Sequence, residues 1–178
     1  MIKPDLSLTD TLCTRCGLCC DGSLFADVEL AGTDEATALE VMGLEIEEDE
    51  EDCGLLLQPC AALKGKCCSI YAHRPDCCRT FECRLLEETR RGDIGVGQAK
   101  AKIAEALKRI ERVKELIGQL GQSDQRLPLK ERCVEALALS EEVAAGSEMN
   151  PKRAELQAAM TSLERLIQRT FLGGTARY

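Results

Sequence analysis

The run Cys13-x2-Cys16-x2-Cys19-Cys20 carries the most specific chemistry in this chain. Two-residue spacing lets successive thiolates turn toward one centre while the intervening backbone N–H groups point at the sulfurs. Ferredoxin-type iron–sulfur clusters use such a Cys-x2-Cys-x2-Cys run with a distant fourth ligand. Zinc sites more often use separated Cys-x2-Cys pairs. Further thiols follow at Cys53, Cys60, Cys67-Cys68, Cys77-Cys78, Cys83 and Cys133. Met1–Asp5 offers no apolar leader, so the expected compartment is the cytoplasm, where thiols bind metal rather than pair as disulfides. Soft thiolates select iron–sulfur or zinc and disfavour Mg or Ca. The Cys triplet favours an iron–sulfur cluster, with zinc as the alternative cofactor.

The elements that must position these thiols fall into two unlike halves. Eleven of the twelve Cys lie between Cys13 and Cys83. Residues 1–95 hold 9 basic and 20 acidic residues, whereas residues 96–178 hold 14 and 11. The expected fold is mainly α, with an irregular, metal-stapled cysteine domain over residues 1–95 and a three-helix antiparallel array over 96–178. Only five residues are aromatic, so the core is thin in large rings and metal–thiolate bonds are expected to supplement it. In the first half, residues 22–30 suit a short strand. Residues 33–42 read as a short helix with Thr33 or Asp34 as N-cap. The acidic run over residues 45–52 is expected to be a solvated loop. A hard-cation site is the less favoured reading, because EF-hand spacing and its glycine are missing.

The second half shows helical periodicity. Ile103, Leu107, Ile110, Val113, Ile117 and Leu120 form one apolar stripe, with Glu105 and Arg109 as an i,i+4 pair on the same helix. Pro128 opens a second helix with Leu129, Cys133, Ala136, Leu137 and Val143 inward. Asn150-Pro151 caps a third, with Leu156, Met160, Leu163 and Ile167 on one face and Gly173-Gly174 as its stop. Such stripes serve a core or, as the less favoured reading, a homodimer seam. No apolar run approaches the ~18 residues of a spanning helix, so no membrane partner is expected. The net charge of −8 and the scarcity of aromatics argue against nucleic acid.

The composite pattern of C13-x2-C16-x2-C19-C20, then P59-C60, then C68-S-I-Y71-x2-R74-P75-x2-C78-R79-x-F81-x-C83 resembles the YkgJ-type cysteine-cluster family, whose shared region is described as zinc- or iron-chelating. The resemblance spans about residues 10–90. It implies metal ligands at Cys13, Cys16, Cys19, Cys20, Cys60, Cys68, Cys78 and Cys83. Cys67 and Cys77 each precede such a position and are able to substitute for it, while Cys53 and Cys133 stand as bystanders. Eight thiolates suit two tetrahedral sites, or one cluster plus a structural metal. A first partition places Cys13, Cys16 and Cys19 with a remote Cys, and Cys20, Cys68, Cys78 and Cys83 together.

Arg15 and Arg79 sit beside candidate ligands and are expected to offset cluster charge. Tyr71 and Phe81 are expected to form an apolar lid, and His73, the only histidine, to be a surface residue. The segment Gly92–Gln98 begins like a phosphate loop but has Gln98 where the Lys should stand, and reads as a glycine hinge. The leading function is therefore a cytosolic metal protein with a redox, electron-transfer or metal-handling role. Flagellin lysine N-methylase carries a related cysteine cluster, which implies methyl transfer to protein lysine as an alternative. A structural zinc module that recruits an unknown protein partner is the third.

Overall fold

The computed structural model describes residues 7–48, 54–143 and 151–173. Cys53, residues 49–52 of the acidic run, the Asn150 cap, Gly174 and the Val143 side chain lie outside the described residues. The chain is mainly helical with a few small strands. In order it forms α1 (Leu8–Cys16), β1 (Asp27–Glu29), α2 (Thr33–Val41), β2 (Ile46–Glu48), β3 (Gly54–Leu57), β4 (Leu63–Lys64) and β5 (Cys67–Cys68). A 3₁₀ turn at Tyr71–His73 leads to α3 (Asp76–Thr80), α4 (Arg84–Arg91), α5 (Val96–Gln119), α6 (Leu129–Val143) and α7 (Pro151–Ile167). The end of α7 widens into a π turn, Gln168–Leu172, which buries Thr170 and Phe171.

Two apolar cores result. The larger is built on α5, whose Ala99, Ile103, Ala106, Ile110, Val113 and Ile117 recur every three or four residues and are buried. That spacing places them on one stripe facing the protein. Leu129, Cys133 and Ala136 of α6 and Leu156, Leu163 and Ile167 of α7 close over it. Cys133 behaves there as a small hydrophobe. Leu12 of α1, Leu18, and Leu85 and Leu86 of α4 belong to the same core, so part of the cysteine-rich half is packed on the helices of the second. The Glu105–Arg109 pair forms at 2.7 Å.

The smaller core holds Leu30, Leu39, Leu44, Leu56 and Ala62. It lies under an antiparallel sheet in the order β1-β3-β2, with Val28 opposite Leu56 and Ile46 opposite Leu56 from the other side. Residues 46–48 of the acidic run thus form an edge strand rather than a loop, because Leu55 and Leu56 of β3 offer a ladder and a buried face. α2 starts after Gly32 rather than on a Thr33 or Asp34 cap; Glu35 Oε2 accepts the Ala31 N–H at 3.0 Å instead. Gly92–Gln98 is the turn between α4 and α5. Gly92 ends α4 with φ 81°, and the Gln98 side chain accepts the Gly95 N–H at 3.0 Å to start α5. No helix among the described residues is long and apolar enough to cross a membrane.

Candidate metal centre

The cysteines gather between the two cores. Ser7 caps α1 by accepting the Asp10 N–H at 3.1 Å, and the helix presents Cys13 and Cys16 one turn apart. Gly17 ends it in the left-handed region at φ 73°, where its N–H bonds back to the Cys13 carbonyl at 3.3 Å. The chain then turns on fully buried Leu18 and delivers Cys19 and Cys20. Cys60 is fixed by its N–H, which reaches the Cys20 carbonyl at 2.8 Å and Gln58 Oε1 at 3.1 Å. The hairpin β4–β5 sets Leu63 opposite Cys68. Short α3 carries Cys77 and Cys78, and the Asp76 N–H at its start donates to Glu35 Oε1 of α2 at 2.8 Å. Cys83 is the residue from which α4 begins.

These segments wall a cavity of about 360 Å³ lined by ten of the eleven described cysteines, Cys133 being the exception. All eight ligands implied by the sequence pattern are in that lining. Among the described residues, no group of three or more His, Cys, Asp or Glu side chains is arranged to hold a metal ion as it stands. The fit to metal therefore rests on the donors themselves: a dense set of soft sulfurs, half-buried and aimed into one space.

The thiols fall into two neighbourhoods. Burial pushes the Cys13 thiol up to about 11, with Cys83 adding to the push. Burial likewise takes Cys16 to about 12, with Cys83 and Cys13 nearby, and drives Cys19 well up beside Cys16, Cys83 and, from the other neighbourhood, Cys20. In the other neighbourhood burial lifts Cys20 to about 12, with Cys60 and Cys68 adding to it. Burial also raises Cys60, again beside Cys68. Cys83 packs on the larger core with Cys13 and Cys16, whereas the first partition set it on or near the site of Cys20, Cys68 and Cys78. The docking of α4 on the larger core carries it there. Burial that resists a free thiolate is compatible with a metal-bound one, because the cation neutralises the sulfur charge and displaces the protons.

The tandem cysteines differ. Cys67 is exposed and its thiol donates to the Thr14 carbonyl at 3.4 Å, while Cys68 packs on the smaller core. Cys77 and Cys78 Sγ lie 4.0 Å apart. Their contact pulls the Cys77 thiol down and pushes Cys78 up. Cys78 faces Cys20 and Cys60, whereas Cys77 packs on the smaller core near Glu35.

The cation at the site is one the spacing argument passed over. Arg74 stacks its guanidinium 3.7 Å over the Tyr71 ring and donates to the Tyr71 carbonyl at 3.1 Å and the Cys78 carbonyl at 3.4 Å. Its charge reaches both Cys13 and Cys20 and favours their thiolates. Arg79 also lines the cavity but is exposed and pairs with Asp76 at 3.4 Å. Arg15 is exposed and outside the lining. The signal for Arg74 was its place beside Pro75 in the composite pattern. Its role depends on the 3₁₀ turn that stacks it on Tyr71. Phe81 meets Phe25 edge to face at 5.2 Å, and Tyr71 donates its hydroxyl to Asp10 Oδ1 at 3.3 Å; all three rings line the cavity. His73 is exposed.

The family model CxxCxxCC, described as "putative zinc- or iron-chelating domain", matches residues 12–101. The chain belongs to this family. The CxxCxxCC match takes in every cavity-lining cysteine and ends in the first turns of α5. No curated protein and no solved structure matches the chain.

Proposed function

We propose that this CxxCxxCC protein carries an iron–sulfur centre on its cavity thiols, with zinc as the competing occupant, and works in redox, electron-transfer or metal-handling chemistry. The observation that carries the reading is the convergence of ten cysteines from six chain segments on one cavity between two apolar cores. A space of about 360 Å³ suits a multinuclear cluster, whose ligand sulfurs stand apart across the inorganic core. A lone zinc ion draws its sulfurs to about 2.3 Å. The Cys13-x2-Cys16-x2-Cys19 run with distant Cys83 repeats the triplet-plus-one logic of clusters. Arg74, held on carbonyls and stacked on Tyr71, supplies a fixed positive charge that offsets the negative charge of a thiolate-bound centre. The metal in turn staples the first half, whose own core is four leucines and an alanine.

Protein purified without oxygen and examined by elemental analysis and visible absorption tests this. The expected result is iron with broad sulfur-to-iron absorption that bleaches on reduction. Colourless protein with stoichiometric zinc overturns the iron–sulfur assignment, and protein without either metal overturns the metal reading.

A further inference from the structure

We infer that the cavity holds two separate metal centres, one on Cys13, Cys16, Cys19 and Cys83 and the other on Cys20, Cys60, Cys68 and Cys78. The inference rests on the metal reading above and adds which sulfurs share a centre.

Two observations divide the thiols in the same place. First, Cys13, Cys16 and Cys83 pack on the larger helical core, whereas Cys60, Cys68 and Cys77 pack on the smaller one. Second, the scaffolds are distinct. α1 and α4 supply the first set and meet through Leu12, Leu85 and Leu86 in the larger core. In the second set, the Cys60 N–H bonds to the Cys20 carbonyl at 2.8 Å and the Leu63 N–H to the Cys60 carbonyl at 2.9 Å. Leu63 then stands opposite Cys68, so one ladder of backbone bonds ties these three cysteines together. Cys19 follows directly on α1, and Cys78 shares α3 with Cys77, which packs on the smaller core, so each joins the set of its own side.

The sets meet at Cys19 and Cys20. Four thiolates complete a tetrahedral zinc site or a cubane cluster, and eight complete two. The composite pattern counts neither Cys67, which is exposed and bonded to the Thr14 carbonyl, nor Cys77 among its eight cysteines. Arg74 lines the same cavity, stacked on Tyr71 and donating to the Cys78 carbonyl of the second set.

The test uses the full chain, purified without oxygen and stripped stepwise with EDTA. Each step is followed by iodoacetamide labelling and peptide mapping. Labelling is expected in two blocks, one set of four appearing together while the other stays protected. Labelling that mixes the sets, or all eight cysteines appearing in one step, overturns the division and leaves the metal reading standing. Cys16→Ser and Cys60→Ser have no tandem cysteine to replace them. Each is expected to lose the metal of its own set and keep the other set protected from iodoacetamide. Loss of all metal in either variant, with helical circular dichroism retained, overturns the division, as does unchanged metal content. Metal-free wild-type protein overturns both the division and the metal reading.

Discussion

The two cores hold their regions by different physics. The larger one unites α5, α6 and α7 with α1 and α4 through many fully buried aliphatic side chains and Phe171. Burial of that kind contributes about 25 cal/mol per Å² and needs no ligand. The smaller core has five buried residues, Leu30, Leu39, Leu44, Leu56 and Ala62, under strands of three or four residues. A region of that size normally needs a staple, and the thiols of Cys60, Cys68 and Cys77 lie against it. On the proposed reading, the contrast predicts that metal stabilises the side of the smaller core and contributes little to the side of the larger one.

The largest expected effects come from the same truncation in each core. Leu163→Ala and Leu39→Ala each remove a fully buried leucine and are expected to cost ~2–5 kcal/mol in metal-loaded protein. After chelation Leu163→Ala should keep its full cost in denaturant unfolding followed by circular dichroism. Leu39→Ala should lose most of its cost, because its core is already loosened. Equal costs before and after chelation would erase the distinction.

Next comes the seam between the regions. Gly22 has φ 76°, its carbonyl accepts the Leu129 N–H at 2.9 Å, and a Cβ there would stand 3.1 Å from Pro128 Cα. Gly22→Ala is expected to cost roughly 1–3 kcal/mol through backbone strain and to weaken docking of the cysteine segment on α6, read as faster hydrogen exchange at Leu129. Phe81→Leu breaks the edge-to-face pair with Phe25 and should cost about 0.5–1.5 kcal/mol beyond its lost area, read as a lower thermal midpoint.

The smallest effect lies on the helical side, away from the thiols. Asp124 is held down at about 2 by the hydrogen-bonded guanidinium of Arg126. A carboxylate depressed in the folded state stabilises above its ordinary value of about 4. That contribution is lost as pH falls from there through about 2. Because the pair is open to solvent, salt should screen it. Asp124→Asn is expected to flatten that small acid-side slope in thermal midpoint, and an unchanged slope would remove the pair from the account.

What was legible in the sequence follows the same divide. The stripes of α5 and α7 could be read because a helix face repeats every three or four residues whatever it packs against, as Ile103, Ile110, Leu156 and Leu163 do. The cysteines announced their chemistry through spacing. Their grouping was not legible for Cys83, because its position depends on α4 docking Leu85 and Leu86 far from the thiols in sequence. β3 was missed because Gly54–Leu57 is a short apolar run without alternation, and it formed a sheet with partners on both sides. Arg74 was overlooked for a similar reason: its stacking on Tyr71 comes from a turn that no periodicity reports.

Residue-resolved hydrogen exchange on the full chain, before and after chelation, tests the central claim most directly. The account predicts that chelation strips protection from β1–β3, β4–β5 and α3 while α5 and α7 stay protected. Unchanged protection throughout, or simultaneous loss across both cores, would contradict it.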